Sequence, residues 1–379
     1  MPISPIEKAG PAAAEVARLM TICNACRYCE GLCAVFPAME LRRAFPLADA
    51  EYLANLCHDC GACFRACQYA PPHEFAVNVP KALSSLRARS YARHVWPGFL
   101  APAFAKNALA ICLLAAASVA LFIVGFVASN DAGALFAAHA GPGAFYRLMP
   151  HEAMIWLFGA VFAYAIFAIA AGLRRFWRAT GGGPIAARDL LAAAAPAGRL
   201  TYLDGGGAGC PVDDEHGRDR RKLYHHLSFY GFLLCLASTL AATLYHYGLG
   251  LQAPYPWTSP VVILGTLGGI GLVAGPVGLM DETRRRPPEI AASTRSGMAA
   301  AFLWMLLLNG LTGLALLALR ETPAMGGLLA IHLGFVFALF LSFPYGKFVH
   351  GFYRYAALAR FAGETRRPRH ETAHGAIGI

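Results

Sequence analysis

Cysteine spacing constrains this chain more than any other feature. Cys23, Cys26, Cys29 and Cys33 stand as C-x2-C-x2-C-x3-C, and Cys57, Cys60, Cys63 and Cys67 repeat the pattern. Eight of the 11 cysteines therefore fall within residues 23–67. Three thiolates in one tight turn can hold three corners of a cubane, and the fourth corner has to come from a more distant segment. In chains with two such runs, the fourth Cys of each run serves the other cluster.

That rule assigns Cys23, Cys26, Cys29 and Cys67 to one 4Fe–4S cluster, and Cys57, Cys60, Cys63 and Cys33 to a second. Zinc fits less well, because it favours two short C-x-x-C pairs closing a single site. A disulfide framework would need an oxidising compartment. Asp49 reads as the N-cap of a short helix from Ala50 to Leu56, so the gap between the runs holds helical turns. The expectation is an all-α, ferredoxin-like head carrying two clusters.

The rest of the chain is not globular in character. It is 57% hydrophobic and 14% charged, against about 25% charged in ordinary soluble domains. Six apolar stretches, at about 105–128, 151–173, 224–247, 259–280, 297–319 and 327–351, each approach the ~20 residues that span a bilayer. The net charge of +10 does not point to nucleic acid, because Lys and Arg gather in loops on one side of those stretches. The head, the 174–222 loop, the 281–296 loop and the tail are basic, whereas the opposite loops carry Arg147, Arg320 and little else. The positive-inside rule then predicts a multi-pass protein of the bacterial inner membrane, with its head and both termini in the cytoplasm. Residues 1–20 lack the apolar core of a signal peptide. The expected domains are a head and juxtamembrane linker (1–95), a six-span membrane domain (96–355) and a basic tail (356–379). Basic residues at 81–94, Arg87 among them, are expected to meet lipid headgroups.

Histidine is expensive inside a membrane and marks candidate function there. The third span carries His225 and His226 at its cytoplasmic start and His246 at its outer end; the sixth carries His332 and His350. Antiparallel packing would set His225 or His226 against His350, and His246 against His332. Such pairs suit one or two b-type haems held between facing helices. His332 and His350, 18 residues apart on the sixth span, share one face. His225 lies closer than His226 to the face of His246. The bland alternative is that these are interfacial or capping side chains. His151 is a weaker ligand candidate, and His58, His73, His94, His139 and His216 read as surface residues.

The second large loop holds Gly205, Gly206, Gly207 and Gly209 ahead of Cys210. No strand–turn–helix context supports nucleotide binding there. The loop reads instead as a docking element facing the head or a partner protein.

Several stretches together carry a likeness to a known family. They are the two Cys runs, Ala70 to Pro80, the Gly-rich loop with Cys210, Tyr224 to His246, and Pro344 to His350. On these the chain resembles the tricarballylate-utilisation protein B family, also called the citrate-utilisation B family. The resemblance implies a membrane electron-transfer protein with two 4Fe–4S clusters and b haem. It would reoxidise a soluble FAD-dependent dehydrogenase and pass the electrons to membrane quinone. It also leaves open a cobalamin-biosynthesis or other flavoprotein partner with electrons arriving from quinol. A redox sensor is the rival of another class, and no output domain is evident for it. The Pro-Val-Asp-Asp after Cys210 departs from the aromatic–Pro pair expected of the family.

Overall fold

A computed structural model of the protein describes residues 10–203, 220–290 and 296–366. Its regular structure is helical throughout, with no strand among the described residues. The head contains α1 (Pro11–Cys26), α2 (Val35–Glu40), α3 (Leu47–Leu56), α4 (Ala62–Arg65) and α5 (Val79–His94). Pro11 opens α1, where its missing N–H leaves no bond unmade. The Asn78 side chain caps α5 by accepting from the Lys81 N–H. Val16, Leu19, Met20, Phe36, Tyr52 and Leu83 form much of the core between these helices.

Two expectations for this region need correction. Asp49 is not an N-cap: α3 starts at Leu47 after Pro46, and Asp49 sits inside the first turn as an ion-pair partner of Arg42. Arg87 does not reach lipid. Helix α5 lies within the head, and Arg87 is 1% exposed there, its guanidinium turned onto the Ala54 and Cys57 carbonyls.

Among the described residues, six helices are long and apolar enough to cross a membrane. They are α6 (Asn107–Ser129), α7 (His151–Ala179), α9 (Arg221–Leu249), α10 (Pro260–Arg284), α11 (Ser296–Ala318) and α12 (Met325–Ser342, apolar on to Tyr345). Between α7 and α9 lies α8 (Ala187–Arg199), and α13 (Val349–Arg366) follows the last span. The docking-loop glycines Gly205, Gly206, Gly207 and Gly209, with Cys210 and His216, lie outside the described residues.

The sixth span does not run on to His350. It gives way to a 3-10 turn at Phe343–Tyr345, and Gly346 is extended at φ −135° before α13 begins. Pro344 removes a backbone donor at this point, which breaks the helix. His332 and His350 thus sit on different helices, and the shared-face argument for them fails.

Helix α9 is held against α10 at very short range. A Cβ on Gly271 would stand 2.7 Å from the Leu227 carbonyl oxygen, and one on Gly275 2.6 Å from the Ser228 nitrogen. Only glycine allows that approach, as in other small-residue interfaces between membrane helices.

The head is clasped to α13. Arg42 bridges Asp49 at 2.6 Å and Glu364 at 2.7 Å, and Arg360 bridges the same two carboxylates at 3.2 and 2.8 Å. The Tyr52 ring lies beneath both guanidiniums, 4.7 and 4.1 Å from their centres. Helix α8 braces α13 from its other side: Arg366 pairs with Asp189, and the Tyr355 hydroxyl donates to the Leu190 carbonyl at 2.9 Å. The clasp fixes the cysteine-bearing segment on the end of the bundle where α9 begins and α12 ends.

Candidate iron–sulfur and histidine sites

The two cysteine runs fold into two nooks, and backbone turns decide which thiols meet. Helix α1 ends at Cys26, where Arg27 takes the left-handed conformation (φ 56°) and turns the chain toward Cys29. In the second run Asp59 and Gly61 are left-handed (φ 60° and 88°), which swings Cys60 and Cys63 back toward Cys57. Cys23, Cys26, Cys29 and Cys67 line the first nook with Ile22, Tyr28, Phe36 and Tyr69. Cys33, Cys57, Cys60 and Cys63 line the second with Val35, Phe36, Leu83 and His58. All eight are free thiols, so no disulfide frames this segment.

Each nook gathers three thiols from one run and one from the other inside a largely apolar wall. Burial, then the neighbouring thiols, pushes Cys23 up to about 12 and Cys29 up to about 11. The same causes raise Cys33 and Cys63 well above the ordinary thiol range. Four thiolates stand together in such a place only around a positive centre. The donor set fits iron–sulfur clusters.

Residues 57–59 join the second nook to the membrane helices. The Cys57 carbonyl accepts from Arg87 and, at 2.9 Å, from Arg354 of α13. The Asp59 carbonyl accepts from Arg221 of α9 at 2.8 Å and from Arg286 at 2.7 Å, and the Asp59 carboxylate accepts from Arg286 at 3.1 Å. Arg221 lies one helical turn before His225, and Arg354 one turn after His350. The helices that carry these two histidines are therefore the ones that grip the second cysteine run.

His225 and His350 meet beside that grip, with ring centres 6.0 Å apart and planes at 74°. Two imidazoles sharing one metal at a bond length of about 2 Å have ring centres about 6 Å apart. The His350 Nδ1–H donates to the Lys347 carbonyl, which leaves Nε2 as its lone-pair nitrogen. Nδ1 of His225 is buried without a hydrogen-bond partner. Two turns further along α9, Phe232 meets Phe343 at 5.6 Å and Phe348 at 5.5 Å on the segment between the sixth span and α13. The residues present fit a bis-His haem, with a preset tautomer and an orphan ring nitrogen.

His226 turns elsewhere. Its ring lies 5.6 Å from Tyr230, and its Nε2 is buried without a partner.

The outer end is arranged differently from the expectation. His246 stacks on His151 of α7, ring centres 3.6 Å apart and planes at 24°, with Tyr146 edge-on to both. His332 is engaged on α11: its Nδ1 lies 2.9 Å from the Thr312 hydroxyl, which in turn donates to the Leu308 carbonyl. The histidine that meets His246 comes from the second span, not the sixth.

Three histidines read as surface residues are buried. His94 pairs with Glu51 at 2.8 Å. His139 donates from Nε2 to the Ala134 carbonyl at 2.7 Å. His58 is 7% exposed and lines the second nook. A signal for His58 was available: His58-Asp59 stands between two ligand-spaced cysteines, and a segment that wraps a cluster has little access to water.

A helical head with two thiol nooks, fixed to six apolar helices bearing paired histidines, defines the class: a multi-pass membrane protein with an iron–sulfur head. Residues 16–93 match the Citrate utilization protein B Fer4-like domain, and residues 102–371 match Citrate utilization protein B. An Escherichia coli protein named Citrate utilization protein B is 49% identical over 357 residues, covering 93% of this chain and 93% of that protein. The chain belongs to the Citrate utilization protein B family. No solved structure matches it.

Proposed function

We propose that this protein carries electrons from a soluble flavoprotein dehydrogenase acting on citrate, tricarballylate or a similar tricarboxylate to membrane quinone. The observation that carries this reading is the junction at residues 57–59. It sits between the second thiol nook and the His225–His350 pair, and both histidine-bearing helices grip it. When bound, iron–sulfur clusters and haem would take up and release single electrons, which a reduced flavin can deliver one at a time.

The division of labour among the residues follows. Cys23, Cys26, Cys29 and Cys67 hold a 4Fe–4S cluster at the head's outer side, where Tyr28 beside them is 71% exposed and open to a partner. Cys33, Cys57, Cys60 and Cys63 hold a second cluster against the membrane helices. His225 and His350 hold a b haem on the side of the bundle where the head lies. Basic loops put that side in the cytoplasm under the positive-inside rule.

A reduced-minus-oxidised optical spectrum of the detergent-purified protein, with iron and extractable haem counted per chain, tests the cofactors. The expected result is about eight irons, the number two such clusters carry, and a b-type spectrum. Haem-free protein that retains its clusters would overturn the haem assignment. Quinone reduction by the reduced dehydrogenase should then require the intact chain. A dehydrogenase that reduces quinone unaided would make this protein an anchor instead.

A further inference from the structure

His58 has no role in holding a cluster, yet its placement is specific. It is 7% exposed, both ring nitrogens are buried without a hydrogen-bond partner, and it lines the nook formed by Cys33, Cys57, Cys60 and Cys63. Leaving a buried polar ring without partners is costly. A folded chain tolerates that where the ring serves something other than packing.

The ring's chemistry narrows what that is. In either protonation state an imidazole has at least one ring N–H to give. Around it, Arg87 and Arg354 already donate to the Cys57 carbonyl, and Arg221 and Arg286 to Asp59. Arginine accepts nothing, so the guanidiniums offer the His58 N–H no acceptor. The nook that His58 lines holds the four sulfurs, which can accept from it.

The first nook differs. Its walls are Ile22, Tyr28, Phe36, Gln68, Tyr69 and Val77, without a histidine or a cation. Hydrogen bonds to cluster sulfurs and nearby positive charge favour the more negative, reduced cluster and so raise its potential.

We propose that His58 donates its ring N–H to a sulfur of the second cluster, and that this bond, with Arg87 and Arg354 on the Cys57 carbonyl, raises that cluster's reduction potential. The inference rests on the two-cluster reading above. His58 is thus a positioning and tuning residue at the cluster that faces the inner histidine pair. It draws electrons toward the membrane side of the head.

The test is an EPR-monitored redox titration of the purified full-length protein and its variants, with iron counted in each. Cys26→Ala and Cys60→Ala identify which signal belongs to which nook. In His58→Leu, iron should stay at the wild-type count. The second-nook signal should fall in potential by about tenfold in the one-electron equilibrium, ~59 mV, while the first-nook signal holds its place. His58→Gln, which restores an N–H, should recover part of the shift, and Arg354→Gln should move the same signal the same way. Wild-type potentials in a fully loaded His58→Leu, or a shift of the first-nook signal instead, would overturn the proposal. If His58→Leu loses iron, unmoved potentials in both His58→Gln and Arg354→Gln overturn it. Wild-type protein with no cluster signal would sink the two-cluster reading itself.

Discussion

The two ends of α9 carry the same residue in opposite arrangements. At the head end, His225 meets His350 edge to face at 6.0 Å, and the Lys347 carbonyl fixes the His350 tautomer. At the far end, His246 stacks on His151 at 3.6 Å. The inner pair has the separation of two ligands on one iron, whereas the outer pair has that of two aromatic rings in contact. The inner pair is also buttressed: Arg221 and Arg354, one turn away on either helix, are tied to residues 57–59 of the head. The outer pair is flanked by tyrosines, Tyr146 and Tyr247. Matched histidines make a site when the second layer around them holds a tautomer and a distance.

The largest effect tests the inner end directly. His350→Ala, or His225→Ala, should leave the protein without its b-type spectrum while iron and membrane insertion persist. Counting haem per chain checks this, and full haem in either variant would move the ligand elsewhere. The same count in His246→Ala and His151→Ala sharpens the comparison. The stacked outer pair predicts unchanged haem in both. A loss of one haem per chain there would mean that the outer rings part around a metal, making the two ends equivalent.

A smaller effect separates the buttress from the ligands. Arg42 is largely buried and joins Asp49 and Glu364 across the contact between head and α13. Removing Arg42 leaves the partly buried Asp49 and Glu364 carboxylates to Arg360 alone, a loss of about 1 kcal/mol. Arg42→Ala should therefore loosen the head from the bundle, seen as faster proteolysis between α5 and α6 and a lower melting temperature of the head. Haem content should hold, since both ligands remain. Wild-type protease resistance in this variant would show that the head is held mainly by the grip at residues 57–59.

How much of this the sequence carried depended on the range of the interaction. The cysteine runs are local: spacing predicted three thiols per turn, and the turn residues Asp59 and Gly61 do the rest. Apolar length predicted six spans, and among the described residues six helices are long and apolar enough to cross a membrane. Pairing between helices is not local. The expected match of His246 with His332 assumed that the third and sixth spans pack antiparallel with these residues facing. His246 instead meets His151 of the second span, and His332 finds Thr312 on its neighbour. Likewise Arg87 and His58 look like exposed polar residues along the chain. Arg87 is buried by the packing of α5 inside the head and His58 where the head docks on α9 and α13, neither of which periodicity encodes.

The smallest expected effect decides between adjacent residues. His225 and His226 are indistinguishable by composition, and a helix turns 100° between them. His225 points its ring at His350, while His226 lies against Tyr230, whose hydroxyl donates to the Gly198 carbonyl of α8 at 2.9 Å. His226 thus faces the brace and not the α13 histidine. His226→Ala should keep the full haem count and the wild-type spectrum, with at most a slight loss of stability from the Tyr230 contact. His225→Ala should lose the haem. If the two variants exchange behaviour, α9 is rotated by about one residue in the loaded protein. The Arg221 grip, one turn below His225, would then be the first contact to re-measure.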